Sequence, residues 1–310
     1  MTGSSTLKSH GNESAVLVLC GEFYLDNWFL ILSILFALIG LVGNSLVLWF
    51  LGFRIRRNPF SIYILNLAGV DALFLCCSFV ISIYKLLSML NNSFLYLGVR
   101  FLRATSHCVG LSLLAGISTE RCLSVLFPIW YRCDRPKQRS SILCTILWVL
   151  PALVWLPFFI QCVPTFSGQI CNVILIIRLV WFILVTCVLC VSSLTLLLRV
   201  QCSSTRRQPP RLYLLVLLNV LVFLIWGLPL EISDFICRFY TNAGPMEIHW
   251  FLACLNCCAN PFIYFFLGSQ RHRRVRESLR MMLQRALEGE QELGSGKRDT
   301  PHTNSLETSF

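Results

Sequence analysis

The sequence predicts an all-α membrane protein: a bundle of seven transmembrane helices followed by an amphipathic helix. Three observations carry that expectation. Of 310 residues, 56% are hydrophobic and only 13% are charged, about half the charged share of a soluble domain. Lipid must therefore be the solvent for most of the chain. Apolar stretches recur near 28–53, 60–90, 95–128, 140–164, 170–200, 211–239 and 246–268, each long enough to cross about 30 Å of hydrocarbon. The basic residues behind the net charge of +11 cluster between those stretches and after the last, as "RIRR" at 54–57, "RCDRPKQR" at 132–139, "TRRQPPR" at 205–211 and "RHRRVR" at 271–276. That is the pattern of positively charged cytoplasmic loops, not of a nucleic-acid groove.

Residues 1–27 form the segment before the first span. Their apolar run "AVLVL" at 15–19 is too short for a cleaved signal peptide, so the first span is expected to act as an uncleaved anchor. Only Lys8 precedes it, whereas Arg54, Arg56 and Arg57 follow it. The N-terminus should lie outside and, after seven crossings, the C-terminus inside. Asn12-Glu13-Ser14 and Asn91-Asn92-Ser93 are glycosylation acceptors on the predicted outer side, the second of them close to the membrane.

Spans four and five are separated only by the turn "PTFSGQ" at 164–169. After span seven, residues 269–287 place Val275, Leu279, Met282, Leu283, Ala286 and Leu287 on one helical face, with Arg271, Arg273, Arg274, Arg276 and Arg280 on the rest. This is a basic amphipathic helix suited to the lipids of the inner leaflet. No cysteine follows Cys258, which excludes a palmitoyl anchor on that segment. Residues 288–310 are polar and expected to be disordered; Thr300, Thr303, Ser305, Thr308 and Ser309 could accept phosphate.

Most of the sixteen cysteines, such as Cys76, Cys77, Cys187, Cys190, Cys254, Cys257 and Cys258, fall inside apolar runs, where the thiol behaves as a small hydrophobe. None has zinc-ligand spacing with histidine. With no nucleophile–base pair or metal triad within the spans, neither enzyme chemistry nor a cofactor is expected.

Polar groups inside spans are costly to bury unpaired, and here they form a pattern. Span one carries Gly40, Gly43 and Asn44; span two carries Asn66 and Asp71; span seven carries Asn256, Asn260, Pro261 and Tyr264. Asn44, Asp71, Asn256 and Asn260 are expected to converge on one core cluster, with Pro261 supplying a hinge. Glu120 and Arg121 close span three and are expected to satisfy each other as an ion-pair latch, which opens to a cytoplasmic partner when the helices spread.

Taken in order, "GN" in span one, "NLAGVD" in span two, Glu120-Arg121, Trp148, Pro229 in span six and "NPFIY" in span seven resemble the rhodopsin-like G-protein-coupled receptors. More narrowly, "GLSLLAGISTERCLSVLFPIWYRCDRP" and "CANPFIYFFLGS" resemble the Mas-related receptors, especially the X-type branch. The resemblance covers about residues 28–287. It implies a plasma-membrane receptor of sensory neurons or mast cells, with roles in nociception or itch. Signalling would run through a heterotrimeric G protein of the Gq or Gi class, and arrestin could engage the tail. Several positions depart from the wider superfamily. Cys122 follows Arg121 where tyrosine is usual. Gly227 stands where most relatives have a tryptophan near the span-six proline. Gly110 replaces a common serine beside Asp71, which weakens a sodium site there. The outer end of span three lacks its usual cysteine, and the Mas-related resemblance implies a Cys162–Cys171 bridge instead, two free thiols being the alternative.

For the ligand, Arg103 precedes Arg121 by 18 residues, a whole number of helical turns. If Arg121 faces the bundle, Arg103 does too, about 27 Å nearer the outside. His107 shares that face one turn deeper, Lys85 lies beyond Asp71 at the pocket mouth, and Arg178 sits in the outer part of span five. Glu231 and Asp234 stand opposite. The acids could neutralise the bases, or the bases could hold an anionic or amphipathic ligand; both remain open. Relatives that take cationic peptides carry acids where this chain has Phe158 and Leu175, so a basic-peptide preference is not expected. A transporter or channel with a polar core is the alternative class, and would call for internal repeats or a charged through-pathway.

Overall fold

The computed structural model describes residues 5–54, 59–87, 94–133, 138–161, 168–202, 217–218, 220–228, 232, 235–236 and 247–269, with side chains inside 27–265. Every regular element among them is helical: α1 (Ser5–Trp49), running into a π-helical turn (Phe50–Arg54), α2 (Pro59–Leu86), α3 (Phe94–Leu126), the short α4 (Pro128–Cys133), α5 (Arg139–Gln161), α6 (Gly168–Cys202), a π-helical segment (Phe223–Gly227) and α7 (Glu247–Ser269). Both α2 and α4 open on a proline, the position where a missing N–H costs nothing. Among the described residues, five stretches are long and apolar enough to cross a membrane: Asn27–Phe53, Phe60–Leu86, Phe94–Leu126, Leu179–Leu198 and Glu247–Phe265.

Two elements differ from the sequence expectation. The first helix begins at Ser5 rather than near residue 28, because no proline interrupts the chain before Trp49 and nothing sterically ends the helix there. The sixth span departs from α-helical geometry at Phe223–Gly227, with α-helical residues on either side where it is described. The Leu228 N–H bonds to the Phe223 carbonyl, five residues back, just before Pro229. Proline cannot donate to the preceding turn and its ring crowds that turn, so the helix widens locally into π geometry.

α3 is the central helix, touching α2, α5 and α6, while α1 lies against α2 and α7. One buried cluster joins Leu67, Val109, Leu113, Leu189, Phe223 and Tyr264; another joins Ala37, Phe74, Leu75, Trp250, Cys254 and Cys258. Large apolar side chains such as Leu35, Val42, Leu153, Leu184 and Val191 are exposed, the arrangement lipid requires and water would penalise. α1 and α7 meet at glycine. A Cβ on Gly40 would lie 2.4 Å from the Cys258 Sγ and 2.7 Å from a Leu75 methyl, and one on Gly43 would lie 3.0 Å from Pro261. The Cys258 thiol donates to the Phe36 carbonyl at 2.8 Å, so it is not free to swing away. Small residues at such a contact let helices approach without a hydrophobic driving force.

Among the expected features, Asn91, Cys162, Pro229, Glu231, Asp234 and residues 270–310, with nearly all of the amphipathic helix, lie outside the described residues. The side chains of Asn12, Cys171 and Arg178 lie outside them too, and Gly227 is described only as the last residue of the π segment.

Gly40→Leu should destabilise the purified protein by about 1–3 kcal/mol through overpacking, read as a lower Tm and reduced surface delivery. Gly69→Ala is the control, since its Cβ meets only a Leu48 methyl at 3.9 Å. It should leave Tm unchanged or raise it. Equal behaviour of the two variants would contradict the close approach of α1 and α7.

Candidate functional site

The middle of the bundle is organised by α7. Pro261 has no N–H, so the Cys257 carbonyl four residues earlier loses its helical donor. Asn44 of α1 replaces it: its Nδ2 donates to the Cys257 carbonyl at 3.2 Å and to the Gly40 carbonyl at 3.0 Å. One residue before the proline, Asn260 donates to the Asp71 carboxylate of α2 at 2.6 Å. The single cluster expected from sequence is thus two linked pairs, both anchored on α7. Asn256 takes no part: it is half-buried and makes no hydrogen bond among the described residues. A Cβ at Gly110 would stand 3.8 Å from the Asp71 Oδ1, so α3 does face the carboxylate but offers it no hydroxyl. No group of three or more metal-ligating side chains occurs among the described residues.

At one end of the bundle, Glu120 and Arg121 are both buried, yet the expected latch between them is not the contact formed. Adjacent residues on a helix diverge by about 100° and do not face each other. Glu120 instead accepts a hydrogen bond from the Tyr63 hydroxyl of α2 at 3.1 Å. It also pairs with the Arg139 Nε at 3.4 Å, at the start of α5. Arg139 in turn lies 5.1 Å from the Trp130 ring on α4. The Arg121 guanidinium stacks over the Phe60 ring at 3.7 Å. Glu120 therefore ties three helices together and leaves Arg121 on the neighbouring face. Farther along α3, Ser118 hydrogen-bonds Ser192 of α6 at 2.6 Å. On the flank, the Trp148 indole donates to Asn66 at 3.2 Å, at the back of an open groove of about 360 Å³ between α2 and α5.

At the other end, Arg103 is only 4% exposed, as its shared face with Arg121 requires. Its guanidinium lies over the Trp250 ring of α7 at 3.8 Å. His107 sits among Phe74, His249 and Trp250, with ring centroids 5.7, 5.8 and 6.2 Å away. Lys85 is ion-paired to Glu247, the first residue of α7. Sequence reasoning weighed Lys85 against Glu231 and Asp234 and passed over Glu247. The signal was present, since Lys85 ends the second span and Glu247 opens the seventh at the same level. Trp250, one turn farther in, was missed for a different reason: an aromatic residue in an oily span carries no polarity signal.

Tyr63→Phe and Arg139→Gln should each cost about 0.5–1.5 kcal/mol, as ordinary hydrogen-bond deletions do. Because both partners act on Glu120, the double variant should depart from additivity by at least about 0.5 kcal/mol in a denaturation cycle. Additive losses would show that Glu120 does not join them.

The polar residues thus stand at both ends and the middle of one helical bundle, with no catalytic constellation among the described residues. Residues 43–264 match the 7 transmembrane receptor (rhodopsin family). The chain is 42% identical to Mas-related G-protein coupled receptor member B2 of Mus musculus, over 94% of this chain and 93% of that one. It is 43% identical to member X2 of Homo sapiens, over 92% and 90%, and 44% identical to member X2 of Gorilla gorilla gorilla, over 93% and 90%. Such proteins are multi-pass receptors of the plasma membrane that couple to G proteins on its cytoplasmic side, and they are not enzymes. The chain belongs to the rhodopsin family of seven-transmembrane receptors and, within it, to the Mas-related G-protein-coupled receptors.

Proposed function

We propose that this receptor binds an extracellular small molecule or peptide at the Arg103 end of the bundle and activates a Gq- or Gi-class heterotrimer at the Arg121 end. The observation that carries this reading is the placement of two buried arginines on one face of α3, 18 residues apart. α7 reaches the Arg103 region through Trp250 and the middle of the bundle through Asn260 and Pro261. The N-terminus is taken as extracellular on the strength of Arg54, Arg56 and Arg57 after the first span. In that orientation Lys85, Arg103, His107, Arg178, Glu231 and Asp234 border the ligand side, and Asn12 and Asn91 are available for glycosylation. Cys162 and Cys171 meet an oxidising compartment, which favours their bridge. The same orientation puts the tail where arrestin can reach it and the basic 269–287 segment against inner-leaflet lipid. We extend the proposal to a role in sensory or itch signalling, on the strength of membership in the Mas-related family alone.

The test is nucleotide exchange on purified Gq and Gi heterotrimers, co-reconstituted with the receptor in liposomes. Exchange should exceed that of empty liposomes. Arg121→Ala should reduce it by about 5- to 150-fold, the span of allosteric coupling energies near 1–3 kcal/mol, while reaching the cell surface normally. Exchange on neither heterotrimer under any added ligand would sink the proposal, and undiminished exchange by Arg121→Ala would remove that residue from it.

A further inference from the structure

Arg103 is a buried charge without an anion. Its Nε has no hydrogen-bond partner, and neither does the indole Nε1 of Trp250 beneath it. No carboxylate lies within ion-pair distance of Arg103 among the described residues. Glu247 is the carboxylate that acts on it electrostatically, and Glu247 is already paired to Lys85. One positive charge is therefore left over among these three groups. Burying an ion is costly even after relaxation, and a cation–π stack offsets only part of that cost. The stack positions the guanidinium but does not neutralise it. A planar fork of donors held rigid against a ring is the arrangement that binds a carboxylate in a bidentate manner.

The surroundings narrow the ligand further. Trp250, His249, His107 and Phe74 present rings around the same point, His249 lying 4.9 Å from Trp250. Arg103 is nine residues into α3, about 13 Å from its start at 1.5 Å per residue. The Lys85–Glu247 pair stands one turn of α7 nearer that end and is part-exposed, at 24% and 12%. A ligand reaching Arg103 from that end passes beside this pair, and the rings around the guanidinium suit an aromatic body next to its acid.

We infer that the Arg103–Trp250 stack is the subsite for a carboxylate borne on or next to an aromatic ring. The inference rests on the receptor reading above and gives that ligand its chemical class. Two sources share the chemistry, a free arene acid and the C-terminus of a peptide ending in an aromatic residue.

Full-length receptor in lipid nanodiscs should be titrated with 2-naphthoate and N-acetyltryptophan, each against its neutral amide, with the unfolding midpoint as readout. At least one acid should raise the midpoint by several degrees while its amide does not, since binding to the folded state alone stabilises it. Selectivity confined to N-acetyltryptophan would assign the peptide C-terminus; selectivity for 2-naphthoate would assign the free acid. Arg103→Gln should erase the acid–amide difference. Arg103→Lys, which keeps the charge and loses the planar stack, should retain the preference with at least tenfold weaker half-saturation, and it carries the test if Arg103→Gln does not fold. Acids and amides acting alike on the unmutated receptor, or acid selectivity that survives Arg103→Gln, would overturn the inference. Nucleotide exchange on the same preparation separates the two readings. Exchange without acid selectivity removes the subsite alone, and acid selectivity without exchange removes the receptor reading and leaves the subsite standing.

Discussion

Inside a bilayer no water completes an unfinished hydrogen bond, so a helix broken by proline must find its donor in another helix. Pro261 creates that need at the Cys257 carbonyl, and Asn44 meets it from α1. The rest of the arrangement follows from this contact. α1 must come close enough for a short amide to reach the backbone of α7, which is why Gly40 and Gly43 face Cys258 and Pro261. With α1 fixed there, Asn260 is turned toward α2 and takes Asp71 as its acceptor. One missing N–H thus sets the spacing of three helices. It also leaves α7 held beside Pro261 by side-chain contacts, which can exchange partners, where an uninterrupted ladder would be held by its own backbone.

Much of this was legible in the sequence because insertion into lipid constrains composition so strongly. The apolar runs, the arginines between them and the scarcity of polar residues within them follow from a single solvent, and each reports a span or an end. Helical periodicity then placed Arg103 and Arg121 on one face, and both prove buried. These inferences work along one helix, where rise and rotation per residue are fixed.

Contacts between helices were less legible, because sequence order says nothing about which neighbour a side chain meets. Glu120 and Arg121 looked like a pair because they are adjacent, yet adjacency on a helix separates side chains. Their partners, Tyr63, Arg139 and Phe60, come from elements 57, 19 and 61 positions away in the chain. Lys85 was weighed against acids of the sixth span, while the partner it takes belongs to the seventh. The π geometry before Pro229 was hidden for another reason: periodicity locates a proline but does not say how the preceding turn relaxes. Asn256 was grouped with the core amides by residue type, and one turn before Asn260 it is half-buried at the margin of the cluster.

The two ends of the bundle handle buried charge differently, and the difference bears on signalling. Glu120 has a phenol and a guanidinium from other helices, so the acid of that end is satisfied by the protein itself. Among the described residues Arg103 has the face of Trp250 and no paired carboxylate, so the cation of the other end is positioned without an ion pair. A ligand acid entering there would change the charge against α7 most where the protein has not already balanced it. Trp250 is eleven residues from Pro261 on the same helix, so the stack and the point where Asn44 and Asn260 hold α7 lie about three turns apart on one element. An occupant can shift a two-state bundle only by the difference in its contacts with the two states. An unpaired guanidinium stacked on the helix that carries Pro261 is a place where an anionic occupant would make such a difference.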